Sequence, residues 1–220
     1  MKFIDLDTWE RKTHFEFFKG FEYPNYSVSA NVDISKFYAF TKEHDLPFFA
    51  SMVYLTTETI NQIPNFKLRI RGEKVVEHDI IHPVFTVMTP SKLFNFCSST
   101  YSKSFDTFLD KTLDAIEIAK NGSLNISNDN DNDNCIYITS LPWVSFTQVV
   151  HPIFPAPHGG IPTITFGKYF DSNGKLEMPL SLQVHHGLID GLHIGLFFEK
   201  FQEILNNFNL YVDRSFEKIA

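Results

Sequence analysis

Of its 220 residues only two are cysteines, Cys97 and Cys135, and nowhere do Lys and Arg form a run. Nor is there a stretch of ~18 or more apolar residues, the length needed for a membrane-spanning helix. Each absence excludes something. A small secreted scaffold would carry more than two cysteines, so the expectation is a reducing cytoplasm with free, buried thiols. A net charge of -7 without a basic stripe argues against a nucleic-acid binder, which must neutralise phosphates. Residues 1–7 carry acids where a secretory signal has its apolar run. A soluble, cytoplasmic chain with no nucleic-acid and no membrane partner is expected.

The hydrophobic share of 43% suits one domain with a well-buried core. Aromatic residues are abundant, with 24 Phe, 8 Tyr and 2 Trp. Rings of that number fill a core by default, and they also suit a pocket for a flat apolar ligand. Residues 121–134 are rich in Asn and Asp, too polar to bury, and read as a mobile surface loop. Their alternation loosely resembles a calcium loop but lacks its spaced Gly and final Glu. Asn125-Ile126-Ser127 has the form of a glycosylation sequon, which means little without a signal peptide.

Helices and strands alternate elsewhere. Ser104 ahead of Phe105, Phe108, Leu109, Leu113 and Ile116 predicts a capped helix with one apolar stripe. A second helix is predicted over 49–63, and strands over 26–34, 83–89 and 134–139. Asn173-Gly174 between 163–170 and 175–184 is a hairpin signal. The fold class is α/β (α+β), a mixed β-sheet flanked by helices.

The C-terminal stretch carries the chemistry. Leu176, Met178, Leu180, Leu182 and Val184 alternate with Lys175, Glu177, Pro179, Ser181 and Gln183, which predicts a strand with one buried face. By parity His186 continues the apolar face and His185 points away. Ile194, Phe197, Phe198, Phe201, Ile204, Leu205 and Phe208 then recur at three and four, a helix starting near Asp190. A carboxylate at a helix start is stabilised by the N-terminus. A neutral imidazole can take a proton from a hydroxyl, worth ~10²–10⁴-fold in rate when well placed. Two structurally satisfied histidines beside a helix cap are the plain alternative. A zinc site is disfavoured, because the two rings diverge and no nearby Cys or Glu completes a set.

His185-His186-Gly187-Leu188-Ile189-Asp190-Gly191 resembles the motif of chloramphenicol acetyltransferases, 2-oxo acid dehydrogenase acyltransferase cores and peptide-synthetase condensation domains. Trp9-Glu10-Arg11 with residues 14–18, residues 138–143, and residues 163–169 resemble the chloramphenicol acetyltransferase family specifically, in family order from residue 9 to about 205. The resemblance implies a CoA-dependent acyltransferase sandwich over 1–205, with 206–220 as a C-terminal tail. It implies a homotrimer with active sites at subunit interfaces, and acetyl-CoA as a co-substrate, with no cofactor bound permanently. His186 would be the general base for direct transfer to a small hydroxylated acceptor such as chloramphenicol. Asp190 would pair with Arg11 in a buried bidentate contact that keeps His186 aimed. Thr139 stands where the family has an oxyanion-stabilising serine.

On the coenzyme side Trp143, Lys168, Tyr169 and Tyr54 match family positions, and on the acceptor side Phe17, Phe18, Phe94 and Thr165 do. Phe18 replaces a common hydrogen-bonding tyrosine, and Pro24, Asn95 and Phe96 also depart from the usual pocket. Cys97 is expected near the acceptor, open to thiol reagents; nothing around either cysteine indicates an acyl-enzyme route. The alternatives are the same chemistry on another hydroxyl or amine, and a non-catalytic ligand-binding trimer. A dehydrogenase core subunit would need further domains than this length holds.

Overall fold

Asn173 and Gly174 both take positive φ, 54° and 81°, the turn geometry that matches the twist of two antiparallel strands. The exposed turn they make opens the long C-terminal strand of the main sheet in this computed structural model, which describes residues 1–122, 133–153 and 158–213. In chain order the elements are β1 (Lys2–Phe3), α1 (Lys12–Lys19), β2 (Asn25–Asp33), α2 (Ser35–Glu43), α3 (Phe48–Asn61), β3 (Leu68–Arg71), β4 (Lys74–Glu77), β5 (His82–Met88), β6 (Phe94–Ser98) and α4 (Phe105–Asn121). There follow β7 (Cys135–Leu141), β8 (His158–Gly159), β9 (Thr163–Gly167), β10 (Phe170–Ser172), β11 (Lys175–His185) and α5 (Gly191–Asn206).

β11 pairs antiparallel with β2 on one side and with β9 and β10 on the other. β7 runs parallel to β9, β5 parallel to β7, and β6 closes the far edge antiparallel to β5. β1, β4, β3 and β8 make a second, smaller sheet. The mixed sheet with flanking helices is the expected architecture. Fully buried Arg69 ties the two sheets, donating to the carbonyls of Phe66 and Leu68 and of Asp133 and Cys135 at the start of β7.

Two strand expectations need correction. The single strand expected over 163–170 is broken: Phe166 pairs with Leu180 but Phe170 with Glu177, which leaves one extra residue on the β9–β10 side. A bulge at Lys168 and Tyr169 absorbs it, and the Lys168 N–H turns away to the Val144 carbonyl. The one-sided burial expected of 175–184 also fails. From Met178 to His185 every residue is buried, because β11 is an interior strand covered on both faces. Its alternation marks which face is polar, and does not mark exposure.

Leu180, Leu182, Ile164, Ile138 and Phe85 form the apolar face and share one core with Tyr54, Phe108, Phe197 and Phe201 of the helices. Ser104 caps α4 as expected, accepting from the Thr107 N–H at 3.3 Å, although Leu113 of the expected stripe is exposed. Among the described residues no helix is long and apolar enough to cross a membrane. Residues 123–132 of the expected polar loop lie outside the described residues, as do 214–220. The expected tail boundary at 205 is too early: Phe208 is buried against Phe37, Phe40 and Phe105.

Candidate active site

β11 ends at His185, and the chain then turns through Gly187 into α5. A Cβ on Gly187 would lie 3.0 Å from the His185 ring and 3.4 Å from the Phe15 backbone, so a larger residue there would have to displace the His185 ring by a few tenths of an ångström. The His185 Nδ1 accepts from the Gly187 N–H at 3.1 Å. Burial, with His186 as the lesser cause, lowers the His185 pKa to about 4. The sign follows: the unfolded chain binds a proton below ~6.5 that the folded chain refuses until about 4, so stability is complete above ~6.5 and lost as pH falls through 4. Urea unfolding at pH 4.5 against pH 7.5 should cost wild type about 2–3 kcal/mol more than His185→Asn, which keeps an acceptor but does not titrate.

His186 sits on a different support. Its ring stacks on Phe18 of α1 at 4.0 Å and 8° and lies against Tyr26 of β2 at 4.4 Å. Its backbone N–H donates to the Pro24 carbonyl at 2.9 Å. Nδ1 is buried without a partner among the described residues. Phe18, expected on the acceptor, therefore has the imidazole as its contact. Tyr26 was not singled out by the sequence; the signal was its register position opposite Val184, two residues short of His186.

Arg11 holds this loop from the other end of the chain, but not bidentately as expected. One nitrogen, Nη1, reaches Asp190 Oδ2 at 2.5 Å; Nη2 donates to the His186 carbonyl at 3.2 Å and Nε to the Gly187 carbonyl at 3.4 Å. The pair is also less buried than expected, the side chains being 14% and 33% exposed. Asp190 Oδ1 accepts from the Leu192 N–H at 3.1 Å, and His193 Nδ1 faces the Asp190 N–H at 3.1 Å, closing a capping box on α5. Burial raises the Asp190 carboxyl, and the Arg11 hydrogen bond with the charges of His193 and Arg11 outweighs it, so the net pKa is lowered. Asp190 stays ionised and anchors the guanidinium.

The hydroxyls form a second constellation. Paired residues share a sheet face, so Ser29, Ser181, Thr165 and Thr139 stand in one row across β2, β11, β9 and β7. Thr86 of β5 extends it, its Oγ1 3.0 Å from that of Thr139, and Phe96 of β6 ends it. Segment 143–153 covers the β2, β11 and β9 part of this face, with Ser27 Oγ donating to the Val149 carbonyl. His186 is not in this row. It lies five residues beyond Ser181 and two strands from Thr139, roughly 15–20 Å away and turned toward the opposite face. One chain brings Thr139 and Thr165 together and keeps both apart from His186.

Lys168 and Tyr169 form the bulge, where Ser145 Oγ donates to the Lys168 carbonyl and the Tyr169 ring meets Tyr38 and Phe48; Trp143 is exposed, one residue before the Val144 whose carbonyl accepts from the Lys168 N–H. Tyr54 does not join them. It is 1% exposed, packed against Phe105 and Phe108, with its hydroxyl donating to the Lys103 carbonyl, so the expectation of a coenzyme contact is corrected to a core role. Phe17 is exposed next to Phe18 and Phe21, and Phe94 is exposed next to Phe96. Asn95 and Cys97 alternate with those two and point into the core; Asn95 holds the end of α4 through the Ala119 and Gly122 carbonyls. Cys97 is thus shielded from thiol reagents. Burial raises both thiols, Cys97 and Cys135, to about 11, the reverse of an activated nucleophile.

Residues 1–202 match the family described as chloramphenicol acetyltransferase. The chain is 28% identical over 205 residues to chloramphenicol acetyltransferase 3 of Escherichia coli, covering 93% of this chain and 96% of that one. To the chloramphenicol acetyltransferase of Clostridium perfringens it is 30% identical over 216 residues, covering 96% and 99%. A solved structure of a chloramphenicol acetyltransferase is similar with a TM-score of 0.86 at 27% identity, over 93% of this chain and 99% of that one. The family match runs from before Arg11 to beyond Asp190, and so takes in both the gripped loop and the hydroxyl row. An acyltransferase by fold and sequence, the chain belongs to the chloramphenicol acetyltransferase family.

Proposed function

We propose that the protein is an acetyl-CoA-dependent O-acetyltransferase that acetylates a hydroxyl of chloramphenicol, with His186 as general base. The observation that carries this reading is the His186 ring itself, clamped between Phe18 and Tyr26 on a loop that Arg11 grips by two carbonyls and Asp190. A base held in this way loses little orientation entropy at the moment of transfer. Nε2 takes the acceptor's hydroxyl proton while that oxygen bonds to the thioester carbonyl carbon. The C–S bond then breaks, and the proton passes to the leaving coenzyme A sulfur. Thr139 can accept from Thr86 and still aim its own proton at the oxyanion. Trp143, Lys168 and Tyr169 offer the coenzyme surface, and acetyl-CoA is a co-substrate, not a resident cofactor.

The site is completed between copies of the chain, in a cytoplasmic homotrimer. The distance between His186 and the Thr139 row supports this, and so do two exposed apolar patches. Phe17, Phe21 and Tyr23 are exposed near His186; Met88, Leu93, Phe94 and Phe96 are exposed near Thr86 and Thr139. Patches on different faces suit a head-to-tail contact that closes into a ring.

Purified protein with acetyl-CoA, chloramphenicol and a thiol reagent is expected to release coenzyme A; no release at saturating substrate would sink the reading. Phe18, which lacks the hydroxyl common at its position, favours a second reading: the same chemistry on another small hydroxyl or amine, which a panel of acceptors separates. Arg11→Lys keeps the charge but not the three-way fork, and is expected to lower kcat roughly 10–100-fold with a smaller change in KM for acetyl-CoA. Steady-state kinetics with both substrates varied check this.

A further inference from the structure

One ring crosses strands on the hydroxyl-lined face without belonging to the sheet. His151, in the covering segment, is pinned by Gln183 of β11. The Gln183 Oε1 accepts from the His151 N–H at 2.7 Å, and its Nε2 donates to the His151 carbonyl at 3.0 Å. Gln183 is buried, and its amide holds the His151 backbone much as a neighbouring strand would. From that mooring the His151 Nε2 reaches Thr165 Oγ1 at 2.7 Å. Thr165 is buried and pairs in register with Thr139. Two residues earlier the same segment is fastened again: Ser27 Oγ donates to the Val149 carbonyl at 2.9 Å and lies 2.9 Å from Ser181 Oγ.

The segment is therefore secured through its backbone, and the imidazole is not needed for that. Half-buried His151 has its pKa lowered by desolvation, so near neutral pH the ring carries one donor and one acceptor nitrogen. Nε2 is taken by Thr165, and Nδ1 has no partner among the described residues. A polar ring is thus set beside a buried hydroxyl, one strand from Thr139.

Resting on the acetyltransferase reading, we propose that His151 is a specificity determinant on the acceptor side. Together with Thr165 it recognises a second polar group of the acceptor, in chloramphenicol the hydroxyl that is not acetylated. An apolar residue at 151 would leave Thr165 and that hydroxyl without a partner.

The test compares kcat/KM for chloramphenicol and for its analogue lacking the hydroxyl that is not acetylated, in wild type, His151→Leu and His151→Asn. Wild type is expected to prefer chloramphenicol by about tenfold or more. His151→Leu should narrow that preference to about twofold, while His151→Asn, which keeps a polar atom near the Nδ1 position, retains most of it. KM for acetyl-CoA should stay unchanged in all three. If His151→Leu melts below the assay temperature, His151→Phe, which keeps ring volume, gives the same comparison. An undiminished preference in a folded, active Leu or Phe variant overturns the role of His151 and leaves the acetyltransferase reading intact. No coenzyme A release from chloramphenicol by wild type overturns that reading, and this inference with it.

Discussion

His186→Ala is expected to lower kcat by about 10³–10⁴-fold while leaving chloramphenicol affinity and thermal unfolding close to wild type. The size comes from losing the proton acceptor at the instant the hydroxyl attacks; an unassisted alcohol is a poor nucleophile near neutral pH. The selectivity comes from the way the loop is built. Arg11 holds the His186 and Gly187 carbonyls and Asp190, none of which depends on the imidazole, so the loop survives its removal. Phe18 and Tyr26 lose a ring between them, a packing loss at a partly buried position. His185→Ala should behave in the opposite manner. It empties a buried site and frees the Gly187 N–H, so stability falls first. Coenzyme A release under steady state, read beside melting curves, separates the two. A His186→Ala enzyme within tenfold of wild type would mean that another group takes the proton.

The sequence already carried much of this site, for identifiable reasons. The change from period two to period three or four around Gly187 marks the strand-to-helix turn, because both elements have a strongly apolar side. Asp190 at the helix start was legible as a cap for the same reason. Arg11 as its partner is different: no periodicity links residues at opposite ends of the chain, and only the family resemblance pairs them. The three-way fork was hidden, since it depends on where two loop carbonyls point. The clamp on His186 was hidden too, because it arises from the register of β2 against β11. Tyr54 shows the ambiguity of aromatic residues in a helix, where a ring fits a core and a pocket equally well and tertiary packing decides. His151 lies in a stretch with no period, and its role depends on one amide of β11, so no local signal pointed to it.

The second large effect concerns where the two halves of the site meet. Thr139→Val removes the hydroxyl from the row and is expected to lower kcat about 10²-fold, the usual loss for one oxyanion donor. Alone, then, His186→Ala and Thr139→Val are both expected to be nearly inactive. Within one chain His186 and Thr139 are roughly 15–20 Å apart on different faces, so in the proposed trimer the histidine of one copy would work with the threonine of its neighbour. Random assortment of the two variants in a ring of three gives roughly a quarter of sites with both wild-type residues.

Co-expressing His186→Ala with Thr139→Val and measuring chloramphenicol-dependent coenzyme A release is therefore the most direct test. Activity recovering to about a quarter of wild type is the predicted result. Activity that stays at the average of the two separate variants would contradict a site shared between copies.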